Sequence, residues 1–364
     1  MEAVLASSHR IAAIDRMRGI VMVLMATDHA AHVFYAEHVV LDSVVLPWQA
    51  PLPALPFLHR WLSHLCAPIF VFLAGTSIAL AASRRSDSSL SFDRDLILRG
   101  ALLVGLDLTF ISWIWGSNFE HGRVLQVLST IGAGMIAMVA FRRLPGRATL
   151  VLGGVLAVAG EALAASPLPE SVRMTLVTGG FRETFVVLYP MLPWFAVMLL
   201  GHGFGRHLTL GRSAASFLIP ATAIAWIVWI AVKVGDGYGN MRMTGVHDGP
   251  LRWLQTSKYP PSLAFLGLEL GIGLAILCAL FRDKPRGDRG LLLVLGQTAL
   301  FFYVLHIAAL ESAGALFRAV GLDPRGGLLG NTVAAAIVVL AAWPLGIAFR
   351  SLRRRHPTSL LRLV

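Results

Sequence analysis

Ten apolar runs, each about 18 to 25 residues long and so able to cross a hydrocarbon core of roughly 30 Å, recur along this 364-residue chain. They fall near 14–36, 58–82, 95–115, 123–141, 148–165, 186–204, 214–234, 262–281, 290–312 and 329–349. Runs of that length are expected as transmembrane helices. The fold class is therefore an all-α polytopic bundle of about ten helices. With 56% hydrophobic and 14% charged residues, no stretch is left over for a sizeable soluble domain, and residues 1–364 read as a single transmembrane domain.

Most of the 31 Lys and Arg lie in the two termini and in alternate loops, including Arg84, Arg85, Arg142, Arg143 and the cluster Arg353, Arg354, Arg355. The positive-inside rule then places both termini in the cytoplasm of a cell inner (plasma) membrane. The net charge of +11 is explained by anionic lipid as the partner of that face. Nucleic acid is not expected, since no basic stripe is interleaved with aromatics. Cys66 and Cys278 are expected near opposite ends of their helices and cannot bridge. The first apolar run lacks a small-residue cleavage site after it and is expected to be retained as a helix.

The first helix departs from an ordinary lipid-facing segment. RGIVMVLMATDHAAHVF, residues 18–34, carries Asp28, His29 and His32 within two turns. Ionisable groups at bilayer depth are costly, so their presence is a functional-site hypothesis in itself. Arg18 and His29 are eleven residues apart, which on a helix places them on nearly the same face and roughly 16 Å apart. A groove running inward from the cytosol is expected along that face. Asp28 can meet His32 at i,i+4 but cannot face His29, which needs another partner. The second helix, PFLHRWLSHLCAPIFVFLAGTS, brings His59, Arg60 and His64. Packed antiparallel against the first, it offers Arg60 as the countercharge that a buried Asp28 requires.

IDRMRGIVMVLMATDH, LHRWLSHLCAPIFVFLAGTS, YPMLPWFAVMLLGHGFG, TSKYPPSLAFL and LGQTALFFYVLH together resemble the bacterial branch of the heparan-alpha-glucosaminide N-acetyltransferase catalytic-domain family. The likeness spans most of the chain. That family is similar to the integral-membrane acyltransferases that decorate surface polysaccharides, whose first helix carries an Arg, ten residues, then a His; Arg18 and His29 fit. The resemblance implies transfer of an acetyl or acyl group from cytosolic acetyl-CoA, as co-substrate, to an amine or hydroxyl of a glycan or cell-envelope acceptor. The lysosomal enzyme differs in having Asn at the position of His29, with its catalytic His in the outer stretch before the second helix. Here residues 37–57 form that stretch, longer and differently composed, where His38 or His59 could serve. The acyltransferase spacing favours His29 as base, with His64 second and Asp28 tuning the site.

Such chemistry needs a base for the acceptor, for which an imidazole with a pKa of about 6.5 is suited. It also needs donors for the developing oxyanion, expected from the Lys258 ammonium or the Tyr259 hydroxyl in TSKYPPS. The phosphates of CoA call for cations at the cytosolic face, where Arg16, Arg18 and Arg99 are placed to meet them. No metal is required. Each feature also has a structural reading. Asp28 and His29 suit interhelical hydrogen bonding, Arg18 a charge anchor, Arg60 and His64 interfacial snorkelling, and Lys258 with Tyr259 an interfacial belt. His306, Asp107, Glu161 and Glu269 read as isolated packing polar residues. A proton-coupled secondary transporter or flippase, with Asp28, His29, His32 and His64 as a relay, is the rival function. A homo-oligomer is compatible with either.

Overall fold

The computed structural model describes residues 2–38, 53–84, 89–115, 122–241, 243, 249–283, 287, 289–356, 359 and 361. Most of the stretch 37–57 and Arg85 therefore lie outside the described residues. In chain order the helices begin with α1 (Glu2–Phe34), α2 (Ala54–Leu62), α3 (Cys66–Arg84), α4 (Ser89–Leu106), α5 (Ser112–Trp115), α6 (Val127–Phe141), α7 (Gly146–Ala164) and α8 (Glu170–Arg173). They continue with α9 (Met191–Thr209), α10 (Ala215–Gly235), α11 (Pro250–Leu254), α12 (Leu263–Arg282), α13 (Leu291–Gln297), α14 (Ala299–Ala319) and α15 (Leu328–Arg355).

A helix stands over each of the ten expected runs, and seven among the described residues are long and apolar enough to cross a membrane. Those seven are Ala54–Arg84, Leu90–Trp115, Gly146–Ala164, Ala215–Gly235, Leu263–Arg282, Ala299–Ala319 and Leu328–Arg355. The protein is a polytopic, all-α membrane bundle. Helix α6 is a short apolar helix of 15 residues. Helices α1 and α9 are long, but they carry Arg18, Asp28, His29 and His32, and His202, Arg206 and His207. Those polar groups dilute the apolar character of their helices.

Lipid-facing stripes are visible where large apolar residues stand exposed at helical spacing. Val151, Val155 and Val158 line α7, and Leu329, Val333, Ile337 and Leu340 line α15. In water such stripes would be a liability, whereas hydrocarbon covers them at no cost.

The chain divides into two compact units. One comprises Met1–Val40, Pro53–Cys66 and Ile276–Val364, and the other Leu41–Leu52 and Ala67–Ala275. In the second unit a three-stranded sheet of β1 (Arg123–Leu125), β2 (Gly180–Phe181) and β3 (Phe185–Val187) runs in the order β1-β3-β2, with β1 parallel and β2 antiparallel to β3. The sequence pattern places helix starts at 123 and 186; the structure moves them to Val127 and Met191. At the first, the Asp107 carboxylate accepts the backbone N–H groups of Gln126 and Ser129 at 2.7 and 2.8 Å, capping α6. At the second, Pro190 holds the preceding Tyr189 away from helical backbone.

In the first unit, α1 lies against α13 at backbone contact. A Cβ at Gly296 would collide with the Asp15 carbonyl, and one at Gly19 with the Leu292 carbonyl. The expected run 290–312 is broken at Thr298, which leaves helical backbone at φ −122° while its hydroxyl bonds back to the Val294 carbonyl at 2.8 Å. Helix propensity alone would make Gly296→Ala stabilising by about 1 kcal/mol. The close approach reverses the sign, and a destabilisation of about 3 kcal/mol is expected, at the upper end of overpacking because backbone must move. Thermal unfolding in detergent measures it; a raised midpoint would show that the contact yields freely.

Candidate functional site

Helix α1 runs through the first unit with polar groups near its midpoint, at Asp15, Arg16 and Arg18, and again in its last two turns, with an apolar stretch between. Its polar end remains helical because the Thr27 hydroxyl satisfies itself on the Val23 carbonyl at 3.0 Å. Asp28 then meets Arg60 of α2 in an ion pair of 2.5 Å, both side chains nearly buried. This is the countercharge expected from antiparallel packing of the first two helices. The Arg60 guanidinium also reaches Ser63 Oγ at 3.5 Å, and Ser63 donates to the Arg60 carbonyl at 2.7 Å. That local bonding accompanies a tightening into a 3₁₀ turn at Ser63–Leu65. Arg60 and His64 thus do not sit on one regular α-helical face, as their i,i+4 spacing suggested. His64 is fully buried in the turn.

His29 finds its partner in His306 of α14, with His29 Nδ1 and His306 Nε2 2.8 Å apart. His306 Nδ1 lies 2.7 Å from the Phe302 carbonyl oxygen, and a carbonyl can only accept. His306 therefore donates from Nδ1 and, as a neutral ring, accepts on Nε2. That acceptor takes the proton of His29 Nδ1. The chain of bonds leaves His29 Nε2 unprotonated, with its lone pair directed away from His306. His29 is half-buried. The ring of Tyr303 stands edge-on to both imidazoles, at 6.2 and 5.8 Å between centroids.

The remaining histidines of this end gather nearby. His38 lies edge-on to His32 at 6.3 Å and to His59 at 6.4 Å, and His59 is fixed by Asn331 of α15 at 2.7 Å. Burial pushes the His38 imidazole down to about 4, against the opposing pull of the Asp28 carboxylate. His38 is therefore neutral near pH 7.

Near the midpoint of α1, Arg18 donates to Asp15 Oδ1 at 2.7 Å and Gln297 donates to Asp15 Oδ2 at 3.2 Å. Arg350 donates to Gln297 Oε1 at 2.7 Å, and Arg353 to the Gln297 backbone oxygen at 3.4 Å. Three guanidinium groups thus converge on one carboxylate and one amide. Arg16 is committed elsewhere, to Asp283 at 2.5 Å and to the Leu280 and Asp283 carbonyls at 2.8 Å, tying α1 to the end of α12.

Arg99, Lys258 and Tyr259 belong to the second unit. Arg99 is exposed on α4. Lys258 is buried with its ammonium 5.3 Å from the Tyr259 ring centre, and the Tyr259 hydroxyl lies 3.4 Å from that of Tyr189.

Sequence reasoning missed His306, Asn331, Gln297 and Arg350, and took Arg353 only as a topology charge. The one available signal was LGQTALFFYVLH, where a lone histidine sits within an apolar helix. It was read as packing because nothing in one sequence pairs residue 306 with residue 29.

No curated protein matches the chain. The family profile described as heparan-alpha-glucosaminide N-acetyltransferase, catalytic, matches residues 10–237, a stretch that includes Arg18, Asp28, His29, Arg60 and His64 but ends before His306. That match covers more than half of the chain, and the protein therefore belongs to the heparan-alpha-glucosaminide N-acetyltransferase catalytic family, as a multi-pass membrane member.

Proposed function

We propose that the protein moves an acetyl group from cytosolic acetyl-CoA to an amine or hydroxyl of a glycan or other envelope acceptor on the far side of a plasma membrane, with His29 as the base. The observation that carries this reading is the bond sequence Phe302 carbonyl, His306, His29, which orients the His29 ring and places its proton on Nδ1. As the acceptor nitrogen or oxygen attacks the thioester carbon, His29 Nε2 takes its proton. The carbon–sulfur bond then breaks, and the thiolate leaves with the proton that His29 returns. His306 acts through His29 as a positioning residue. Asp28, held by Arg60 and adjacent to His29 in sequence, favours the imidazolium that forms through its charge rather than by a direct bond. Lys258 and Tyr259 are the proposed donors to the substrate carbonyl, and His64 becomes a packing residue.

Arg18 lies roughly 16 Å along α1 from His29, a separation that suits a long co-substrate with its phosphates at one end and its thioester at the other. Arg18 and Arg353 are the proposed phosphate partners, with Arg16 and Arg99 as further candidates. Arg18→Ala is expected to weaken CoA binding about tenfold, in line with one lost charge-assisted bond, and the loss should shrink as salt is raised. Calorimetric titration of CoA checks it; an unchanged affinity would reduce Arg18 to the partner of Asp15. The reading as a whole is tested by incubating purified protein with labelled acetyl-CoA and an amino sugar. Acetylated sugar is expected, and proton-coupled uptake into vesicles with no thioester consumption would overturn it in favour of transport.

A further inference from the structure

At the C-terminal end of α1, the first unit opens into a cleft of about 510 Å³, within the roughly 300–1,000 Å³ typical of small-molecule sites. His32 lines it from α1, Arg318 from the last turns of α14, and Leu322, Asp323, Pro324 and Arg325 from the connection to α15. Asp323 accepts the Arg325 backbone N–H at 2.9 Å and its guanidinium at 3.2 and 3.5 Å, fixing that side chain at the rim. Arg318 enters no ion pair among the described residues, although the Asp323 and Glu311 carboxylates lie within its electrostatic reach. In the lining itself, cationic side chains outnumber the one carboxylate. A guanidinium is the side chain whose donor fork matches a carboxylate or phosphate.

The cleft also has a fixed relation to the reacting group. His32 is three residues beyond His29, so it lies about 4.5 Å further along the helix and about 60° around it. A saccharide seated on His32 has its neighbouring positions beside His29. Apart from His32 and Val33, the lining falls beyond residue 237, outside the stretch matched by the family profile. This wall is accordingly where the chain can carry a preference of its own.

We infer that the cleft binds an anionic group of the acceptor saccharide, a phosphate or carboxylate gripped by Arg318 and Arg325, while the acceptor's amine or hydroxyl reaches His29 one helical turn away. The inference deepens the acetyltransferase reading and rests on it for the word acceptor. An anionic lipid headgroup would offer the same chemistry, and the test separates the two.

Full-length protein in phosphatidylcholine nanodiscs is titrated with glucosamine and with glucosamine 6-phosphate, without acetyl-CoA. The phosphorylated sugar is expected to bind about tenfold more tightly, as one charge-assisted contact supplies. Arg318→Gln and Arg325→Gln should each lower that ratio and the double variant should bring it to about one, whereas Arg354→Gln, at the far end of α15, should leave it intact. Equal affinity for the two sugars in the native chain, or a ratio that survives the double variant, overturns the proposal. So does loss of sugar-phosphate binding on adding phosphatidylglycerol to the discs, which would make the cleft a lipid seat. Adding labelled acetyl-CoA then separates the two readings. Binding with the stated ratio but no transfer defeats the acetyltransferase reading alone, and transfer to both sugars at equal kcat/KM defeats the cleft alone.

Discussion

His29→Ala is expected to lower acetyl transfer by on the order of 10²- to 10⁴-fold, the usual worth of a positioned general base, while CoA binding and the folded yield stay near those of the native chain. His29 is half-buried and meets the neutral His306 ring, so its removal opens space without stranding a charge. His306→Phe should cost less, on the order of tenfold to 10²-fold, because the ring of His29 loses its orienting acceptor but keeps its basicity. The two losses should not add, since both act through the same nitrogen. The native rate should fall on the acid side, as protonation of His29 removes the lone pair, and His306→Gln, which keeps an acceptor, should restore part of the activity lost in His306→Phe. Transfer assays across pH measure all of this. If His29→Ala turned over normally while His59→Ala or His38→Ala were inactive, the base would belong to the cluster around Asn331.

Arg60→Gln and Asp28→Asn should be the most destabilising polar changes in the first unit. Each leaves a nearly buried charge without its countercharge, and losses of about 3 to 5 kcal/mol are typical of that situation. Combining Asp28→Asn with Arg60→Gln should recover at least about 1 kcal/mol over the sum of the single losses, because neither variant group then carries a charge. Unfolding of the purified protein in detergent gives the four values of the cycle. Strict additivity would mean that the 2.5 Å pair contributes nothing to holding α2 against α1.

Local order was legible where one segment carried the information. The apolar runs located the helices, and the period of α1 placed Arg18 and His29 on one face because a helix repeats by covalent geometry. The need of a buried carboxylate for a cation pointed from Asp28 to Arg60, since α2 follows α1 in the chain. Legibility failed at 123 and 186, where short β-rich starts of three residues are too brief for any period. It failed again at Thr298, where a break is set by what packs against Gly296 and Gln297. The turn at Ser63–Leu65, which takes His64 out of the α-helical period of Arg60, likewise has no signal in the local pattern.

The sequence by itself determined that this protein spans a membrane as helices, that its first helix carries ionisable groups within an apolar run, and to which family it is similar. All three follow from composition, periodicity or local motif, which a chain bears before it folds. Only the tertiary structure decided which group faces His29, which arginines surround Asp15, and where an open cleft meets His32. His29 and His306 are 277 residues apart, and Arg350 reaches Gln297 across a connection of 53. Contacts at such separations depend on how whole helices pack. The tautomer of His29 depends on a carbonyl of a helix it meets only after the chain has folded.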